Sequence, residues 1–276
     1  MVGLCSPWLF NLVQFALVDS LFSHILIVPA VTLYLLWSHG FRPGNTKPDL
    51  RLAAVFLVLG VMAGLWYLRT ASAGSPRDQL VAQSLIFVIL LCALCAFFLR
   101  RDSLRAAFFP LVFLIFLIPW PVPWVESLEA FLQHRSAEAA AGMFKLAGTP
   151  FFRDETYFAL PGINLQVAPE CSGIRSSVAL FITSCVASYL FLRSAVTRLL
   201  LVAVVLPLAI LRNGFRVFVI GELCVHIRPE MIDSYIHHHG GPIFFALSLV
   251  PFSALLWLLV RWDRSSRPAL RKVAPM

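Results

Sequence analysis

The chain has 276 residues, of which 59% are hydrophobic and only 13% are charged. A soluble domain carries about 25% charged residues, so this composition excludes an ordinary soluble globular protein. The formal net charge of +8 does not indicate a nucleic-acid partner, because the basic residues flank apolar segments and do not cluster on a polar domain.

The apolar segments, taken in chain order, predict an all-α polytopic membrane protein with seven or eight transmembrane helices in a single integral membrane domain, 1–276. A membrane-spanning helix needs about 20 predominantly apolar residues. Residues 7–18 are too short to cross alone, so they would lie in the interface or extend the first span. The predicted spans are 20–38, 51–69, 80–99, 104–120, 174–192, 198–219 and 241–260.

One sizeable polar insertion, 121–173, interrupts this pattern. Within it, residues 124–147 combine apolar residues at helical spacing with several charges, which predicts an amphipathic helix. The residues that follow predict a short β-hairpin, broken at Arg153–Glu155 and at Pro161–Gly162. The insertion therefore delivers the chain to Cys171 at the mouth of the next span.

Basic residues predict the orientation in the membrane. Thirteen of the 22 Lys and Arg residues lie in three loops and the C-terminal tail, at 39–51, 100–105, 193–198 and 261–276. Cytoplasmic loops carry an excess of such residues, so we expect these segments and the C-terminus to be cytoplasmic. The insertion 121–173 and the region around 220–240 would then be extracytoplasmic.

Cys171 differs from the cysteines inside the spans. Ser172 is predicted as the N-cap of the following helix, and a thiol at a helix N-terminus has a lowered pKa because of the helix dipole. Arg175, one turn further on, would lower that pKa too. Cys92 and Cys95, by contrast, lie in an apolar span without other ligand types nearby, which indicates core packing.

Two arginines, Arg212 and Arg216, flank Asn213 and Gly214 in the span 198–219. They are four residues apart and share one face of a helix. Arg216 would lie about 27 Å from the inner end of the span, near the outer interface. Its side chain could simply reach the head groups, but charge inside a span favours a functional role.

Three consecutive histidines, His237, His238 and His239, directly precede the last span. They could form a solvated loop or an adventitious metal site. A dedicated metal site would need carboxylate or thiolate companions, and Asp233 is the one close candidate, so we expect neither a metal nor another cofactor. Histidine is also the usual partner of a nucleophilic thiol. The topology brings Cys171, Arg216 and His237 to the same membrane face as nucleophile, cationic stabiliser and base.

At this point the motifs match a known family. The segments APECSGIRSS and NGFR, and a histidine followed four residues later by Gly241, resemble the exosortase/archaeosortase family. The upstream segments P-W-P-V-P, G-T-P and L-Q-V-A are similar to it as well. The resemblance implies a catalytic triad of Cys171, Arg216 and His237, with His238 and His239 as competing positions. The supporting or substrate-binding residues predicted around the triad are Ser172, Gly173, Arg175, Arg212, Asn213, His238 and Gly241.

The resemblance also implies the partners and the compartment. Family substrates are exported proteins with a C-terminal signal made of a short motif, a transmembrane helix and a basic cluster. In bacteria the motif is typically Pro-Glu-Pro, and the system accompanies exopolysaccharide production. The chain would be a multi-pass protein of the bacterial inner membrane, in contact with lipid, with its active site at the periplasmic face. It would transfer its substrates to a cell-surface acceptor nucleophile that the sequence does not identify.

Three alternatives remain open from the sequence. A transporter or channel would scatter polar residues through the middle of several spans, whereas here they gather at one end. A structural subunit of an exopolysaccharide export system would not need Cys171. A membrane acyltransferase working through His237 would also keep its activity if Cys171 were lost.

Overall fold

The computed structural model describes residues 6–38, 48–70, 74–168, 172–233 and 240–265. These residues are mostly helical, with one small β-sheet. The chain divides into two compact units, with the boundary between Val125 and Glu126.

The first unit consists of helices that differ greatly in length. Two 3-10 segments, Ser20–Leu26 and Leu114–Leu117, accompany them. The α-helices are α1 (Ser6–Val18), α2 (Val28–Ser38), α3 (Leu50–Thr70), α4 (Pro76–Phe98), α5 (Arg101–Ala106) and α6 (Phe108–Phe113).

Helix α4 begins at a capping box formed by Ser75 and Asp78. Ser75 accepts a hydrogen bond from the Asp78 backbone N–H, and the Asp78 carboxylate accepts one from the Ser75 backbone N–H. This reciprocal pair satisfies two backbone donors that the first turn of a helix leaves without partners. Pro76 follows in the first helical position, where a missing N–H costs nothing.

Helices α3 and α4 pack closely near their middles because α3 has a glycine there. A Cβ atom at Gly60 would lie 2.6 Å from Leu90 Cδ2, too close for any real side chain. Elsewhere in this unit, the indole Nε1 of Trp8 on α1 donates to Ser84 Oγ on α4 at 3.3 Å. A buried donor without a partner is costly, so this hydrogen bond fixes the two helices in register.

The predicted span 104–120 differs from the structure, which breaks it into α5, α6 and the 3-10 segment Leu114–Leu117. Pro110 supplies the physical reason. Proline has no backbone N–H to donate to the preceding turn and is best tolerated near a helix start, although Pro207 and Pro251 lie inside the long helices Ala195–His226 and Gly241–Ser265. The new helix accordingly begins at Phe108, two residues before the proline.

The second unit consists of one amphipathic helix, a sheet and three long apolar helices. A short 3-10 segment, Pro229–Asp233, follows the third of its four α-helices. The α-helices are α7 (Val122–Ala147), α8 (Ile174–Phe191), α9 (Ala195–His226) and α10 (Gly241–Ser265).

The hairpin predicted after α7 is a three-stranded antiparallel sheet with the order β1 (Phe152–Asp154), β2 (Tyr157–Leu160) and β3 (Ile163–Gln166). The predicted break at Pro161–Gly162 is a turn in the structure, whereas the one predicted at Arg153–Glu155 begins too early, because Arg153 and Asp154 belong to β1 and the turn is at residues 155–156. Gly162 adopts φ +82° at the second turn, a conformation that glycine reaches without steric cost. The sheet has one more strand than the predicted hairpin because Phe152–Asp154 also forms a strand, β1.

One face of the sheet packs on α7 and α9. Phe158, Leu160 and Leu165 are buried there against Phe144 of α7. Two glycines on α9 allow α7 to approach. A Cβ atom at Gly214 would lie 2.6 Å from Ala139 Cβ, and one at Gly221 would lie 2.9 Å from Phe144 Cε1.

Six helical segments of the described chain are long and apolar enough to cross a membrane. A seventh results if the broken pair Phe108–Leu117 and Val122–Ala147 counts as one span. The prediction of an all-α polytopic membrane protein is therefore confirmed. The six segments are Ser20–Ser38, Leu50–Arg69, Pro76–Phe98, Ile174–Phe191, Ala195–His226 and Gly241–Ser265.

Candidate active site

The residue that caps α8 is Gly173, and the prediction that Ser172 is the N-cap is wrong. Gly173 adopts φ +75°, which a residue with a side chain rarely does. Ser172 is 1% exposed. Its Oγ accepts from the Ile174 backbone N–H at 3.4 Å and donates to Glu129 Oε1 at 3.4 Å, so this serine joins α8 to α7.

The carbonyl oxygen of Gly173 collects hydrogen bonds from two serines and an arginine. The Ser177 backbone N–H and Oγ donate at 3.0 and 2.8 Å, and Ser176 Oγ donates at 3.0 Å. Arg212 Nη2 donates at 3.2 Å and also lies 3.3 Å from Ser177 Oγ. The start of α8 is therefore held to the middle of α9 by a charged side chain.

Arg212 is only 8% exposed, and Asn213 beside it is 3% exposed. Burying a guanidinium is expensive unless its donors find acceptors, so the Gly173 carbonyl and the Ser177 hydroxyl stabilise it in place. Arg212 Nη1 has no acceptor among the residues that the structure describes. The two buried polar residues thus face the start of α8.

A side chain at Gly173 would be strained in this arrangement. A Cβ atom there would lie 3.0 Å from both Arg212 Nη2 and Asn213 Oδ1. The positive φ and the close approach of α9 independently favour glycine. The described parts of two sequence motifs, S-G-I and R-N-G-F-R, are therefore in direct contact although 39 residues separate Gly173 from Arg212.

Residues 16–254 match the family described as transmembrane exosortase. The chain belongs to the transmembrane exosortase family. No curated protein and no solved structure matches the chain. Exosortases are membrane cysteine peptidases or transpeptidases that sort proteins, and the predicted family is confirmed.

In this exosortase, Arg216 lies one turn beyond Arg212 on α9, about 6 Å further along the axis. It is half-buried and lines a small cavity of about 30 Å³ together with residues of β3 and its extension, Leu165, Gln166 and Val167. Arg216 was expected at the outer end of its span, but the helix continues to His226. Apolar residues such as Val217 and Ile220 prolong it and pack against the sheet.

The strand β3 leads from this cavity to the start of α8. Gln133 Nε2 on α7 donates to the Val167 carbonyl directly after the strand. The description of this segment ends at residue 168 and resumes at Ser172. Arg216 therefore lies beside the strand that runs into the C-S-G-I motif of the exosortase.

Several predicted site residues of the exosortase lie outside the described residues. These are Cys171, His237 and His238, together with His239. Gly241 is the first residue of α10. Arg175 is exposed in the first turn of α8 and is not buried with Arg212.

Sequence reasoning missed three residues that build the surroundings of the site. Glu129 and Gln133 are one turn apart on α7 and contact Ser172 and the Val167 carbonyl, respectively. Gly214 lets α7 approach α9. The sequence did offer a signal for Glu129 and Gln133, because polar residues spaced four apart on an amphipathic helix lie on the same face.

Proposed function

We propose that this exosortase is a cysteine transpeptidase that cleaves the C-terminal sorting signal of exported proteins and transfers the cleaved protein to a cell-surface acceptor. It would act at the periplasmic face of the bacterial inner membrane. The observation that carries the proposal is the contact of Gly173 with Arg212, because it joins the loop after Cys171 to the helix that bears Arg216. This contact supports the proposal because it brings together the segment directly after Cys171 and the helix that carries Arg216.

In the proposed reaction, the Cys171 thiolate attacks the carbonyl carbon of the scissile peptide. The carbonyl π electrons move to oxygen, and the tetrahedral intermediate collapses to a thioester as the C–N bond breaks. His237, or its neighbour His238 or His239, accepts the thiol proton and then donates it to the leaving amine. The released fragment is the transmembrane helix of the substrate with its basic cluster.

Arg216 would donate to the carbonyl oxygen as negative charge develops on it. Removal of one such donor costs about 2.7–4 kcal/mol in other enzymes. Arg212 is the less suitable donor because it is only 8% exposed and its Nη2 holds Gly173 and Ser177, whereas Arg216 is half-buried and lines the cavity beside β3. We therefore assign Arg212 and Asn213 to positioning the start of α8, and Arg216 to the reacting oxygen.

The second half-reaction determines the class of enzyme. An amine or another acceptor nucleophile attacks the thioester and gives its proton to the histidine. A new bond to the acyl carbon forms, the C–S bond breaks, and the Cys171 thiolate leaves. Attack by water would give hydrolysis by the same residues. The substrate is held beside the enzyme by its own membrane helix, so recognition of a short motif suffices for a productive encounter.

The experiment follows a tagged substrate with a C-terminal sorting signal from the same organism in membranes that contain the chain or a variant. An immunoblot measures loss of the substrate's C-terminal helix. We expect Cys171→Ala to abolish this loss and Arg216→Ala to slow it by about 100- to 1,000-fold. Mass spectrometry of the new C-terminus distinguishes an attached acceptor from a free carboxylate.

Matched variants control for damage to the fold. Cys185→Ala removes another cysteine, on α8, and His134→Ala removes an exposed histidine on α7. Both should process the substrate like the wild type at equal expression. Processing by Cys171→Ala at the wild-type rate would refute the nucleophile assignment and favour acyl transfer through His237.

A further inference from the structure

We propose that the open edge of β3 binds the substrate by adding an extended segment of it as a fourth strand of the sheet. The ligand is a peptide segment next to the scissile bond, recognised mainly through its backbone. This inference rests on the proposed function, since it assigns a binding mode to the same substrate.

The sheet leaves β3 unpaired on one side. Its order is β1, β2, β3, so β3 has the neighbour β2 on one side and no strand of the described chain on the other. The register with β2 pairs Leu165 with Phe158 and Ile163 with Leu160. The ladder continues beyond the strand, because the Val167 backbone N–H donates to the Thr156 carbonyl at 3.0 Å.

Hydrogen-bonded and non-hydrogen-bonded residues alternate along an antiparallel pair, and this alternation determines which backbone groups of β3 are not bonded to β2. Residues directed at the partner strand alternate with residues directed away from it. Because Val167 bonds to the β2 side, Leu165 and Ile163 do so as well. The backbone N–H and C=O groups of Asn164 and Gln166 therefore point away from β2, toward the open edge.

These outward groups are available to a ligand. Both Asn164 and Gln166 are exposed. Their backbone N–H and C=O groups have no hydrogen-bond partner among the residues that the structure describes. Two outward residues offer two donors and two acceptors to an added strand. Each backbone hydrogen bond formed contributes about 2- to 12-fold in affinity.

The position of this edge fits a substrate that must reach Cys171. Gln166 precedes Cys171 by five residues in the chain, and an added strand would lie about 4.8 Å from β3. Arg216 lines the small cavity beside Gln166 and Val167. A peptide on this edge would therefore pass close to the residue assigned to its carbonyl oxygen.

The opposite edge of the sheet is a poorer site. Strand β1 pairs Phe152 and Asp154 with residues of β2, and Arg153 alone has its backbone groups directed outward. This edge lies two strand spacings, about 9.6 Å, from β3 and from the segment that leads to Cys171.

Backbone pairing at β3 also accounts for recognition of a short motif, because main-chain hydrogen bonds give affinity and alternate side chains give specificity.

The test measures binding separately from chemistry. A fluorescent synthetic peptide that spans the cleavage region of a sorting signal is titrated with the detergent-solubilised Cys171→Ala chain, and anisotropy reports the dissociation constant. The peptide is then N-methylated at one backbone nitrogen at a time. We expect methylation to weaken binding by about 5- to 10-fold at every second residue and hardly at the residues between, because alternate N–H groups face the sheet.

Substitutions in the protein give an independent arm. Asn164→Pro removes an outward N–H without removing a bond to β2, so it should raise the dissociation constant and KM while kcat stays the same. Arg153→Pro makes the matched change at the other edge and should leave both constants unchanged. Equal unfolding temperatures show that the variants fold.

The outcomes separate this proposal from the proposed function. A methylation profile without a two-residue period, or equal effects of Asn164→Pro and Arg153→Pro, overturns the edge-binding proposal even if the wild type processes its substrate. Periodic binding by the Cys171→Ala chain, together with a wild type that does not release the substrate's C-terminal helix, supports the edge and refutes the cysteine peptidase chemistry.

Discussion

Replacement of Gly173 by alanine tests the contact on which the site depends. The residue adopts φ +75°, and its Cβ atom would lie 3.0 Å from Arg212 Nη2 and from Asn213 Oδ1. Alanine in this left-handed conformation costs about 1–2 kcal/mol. The new methyl group also forces Arg212 to move, which weakens its hydrogen bond to the Gly173 carbonyl.

The free-energy cost of weakening the hydrogen bond from Arg212 to the Gly173 carbonyl depends on the charge of the guanidinium donor. Hydrogen bonds to charged groups contribute about 1.5–3 kcal/mol, and Arg212 is 8% exposed, so water does not replace the lost partner. We expect Gly173→Ala to lower the free energy of unfolding by about 2.5–5 kcal/mol in total. Substrate processing should fall further than stability alone explains, because the loop after Cys171 shifts relative to Arg216.

A control substitution at Gly148 separates the cost of the backbone strain from the cost of losing the contact with Arg212. Gly148 adopts φ +78° at the end of α7, and a Cβ atom there would have no neighbour within 4 Å. Gly148→Ala should therefore show the strain alone, about 1–2 kcal/mol, and normal processing. Unfolding in detergent, followed by a thiol-reactive dye on the buried Cys224 and the half-buried cysteines of the spans, measures both variants. If Gly173→Ala costs no more than Gly148→Ala, Arg212 does not hold the start of α8 as described.

Two further predictions concern packing in the second unit. Gly214→Ala should destabilise the protein by about 1–2 kcal/mol, since overpacking against Ala139 outweighs the gain in helix propensity. Gly64→Ala, where no atom lies within 4 Å of the new Cβ, should be neutral or stabilising, and equal unfolding temperatures for the two would refute this reasoning. Thr149→Val removes the hydrogen bond from Thr149 Oγ1 to Glu222 and should cost about 1 kcal/mol, less than a fully buried charged bond because the Glu222 side chain is 21% exposed. Thr183→Val, which removes a bond to a helix carbonyl at an exposed position, is its control, and an equal cost for both would contradict the assignment.

Composition predicted the architecture well because bilayer-length apolar runs have few alternatives. The spans predicted at 20–38 and 174–192 agree with the structure to within a residue. The amphipathic helix predicted at 124–147 begins two residues earlier, at Val122. The break at Pro110 was visible in the sequence, but hydropathy alone does not register the missing N–H of a proline.

The surroundings of the site were harder to predict because they depend on contacts between distant segments. The sequence indicated that Arg212 and Arg216 share a helix face. It could not show that Arg212 is bonded to Gly173, or that Glu129 contacts Ser172, since both contacts arise from packing. The predicted roles of Cys171 and the neighbouring histidines stay predictions, because those residues lie outside the described part of the chain.

The length of α9 has a consequence for the membrane in which the enzyme works. Its 32 residues extend about 48 Å, whereas the hydrocarbon core of a bilayer is about 30 Å thick. A helix whose apolar stretch is longer than the hydrocarbon core adjusts to this mismatch by tilting. Since α9 carries Arg212 and Arg216 and packs against the sheet, its tilt would set the height of these groups above the lipid. On the proposed function, acyl-chain length in the surrounding membrane becomes a determinant of where along its substrate the enzyme cuts.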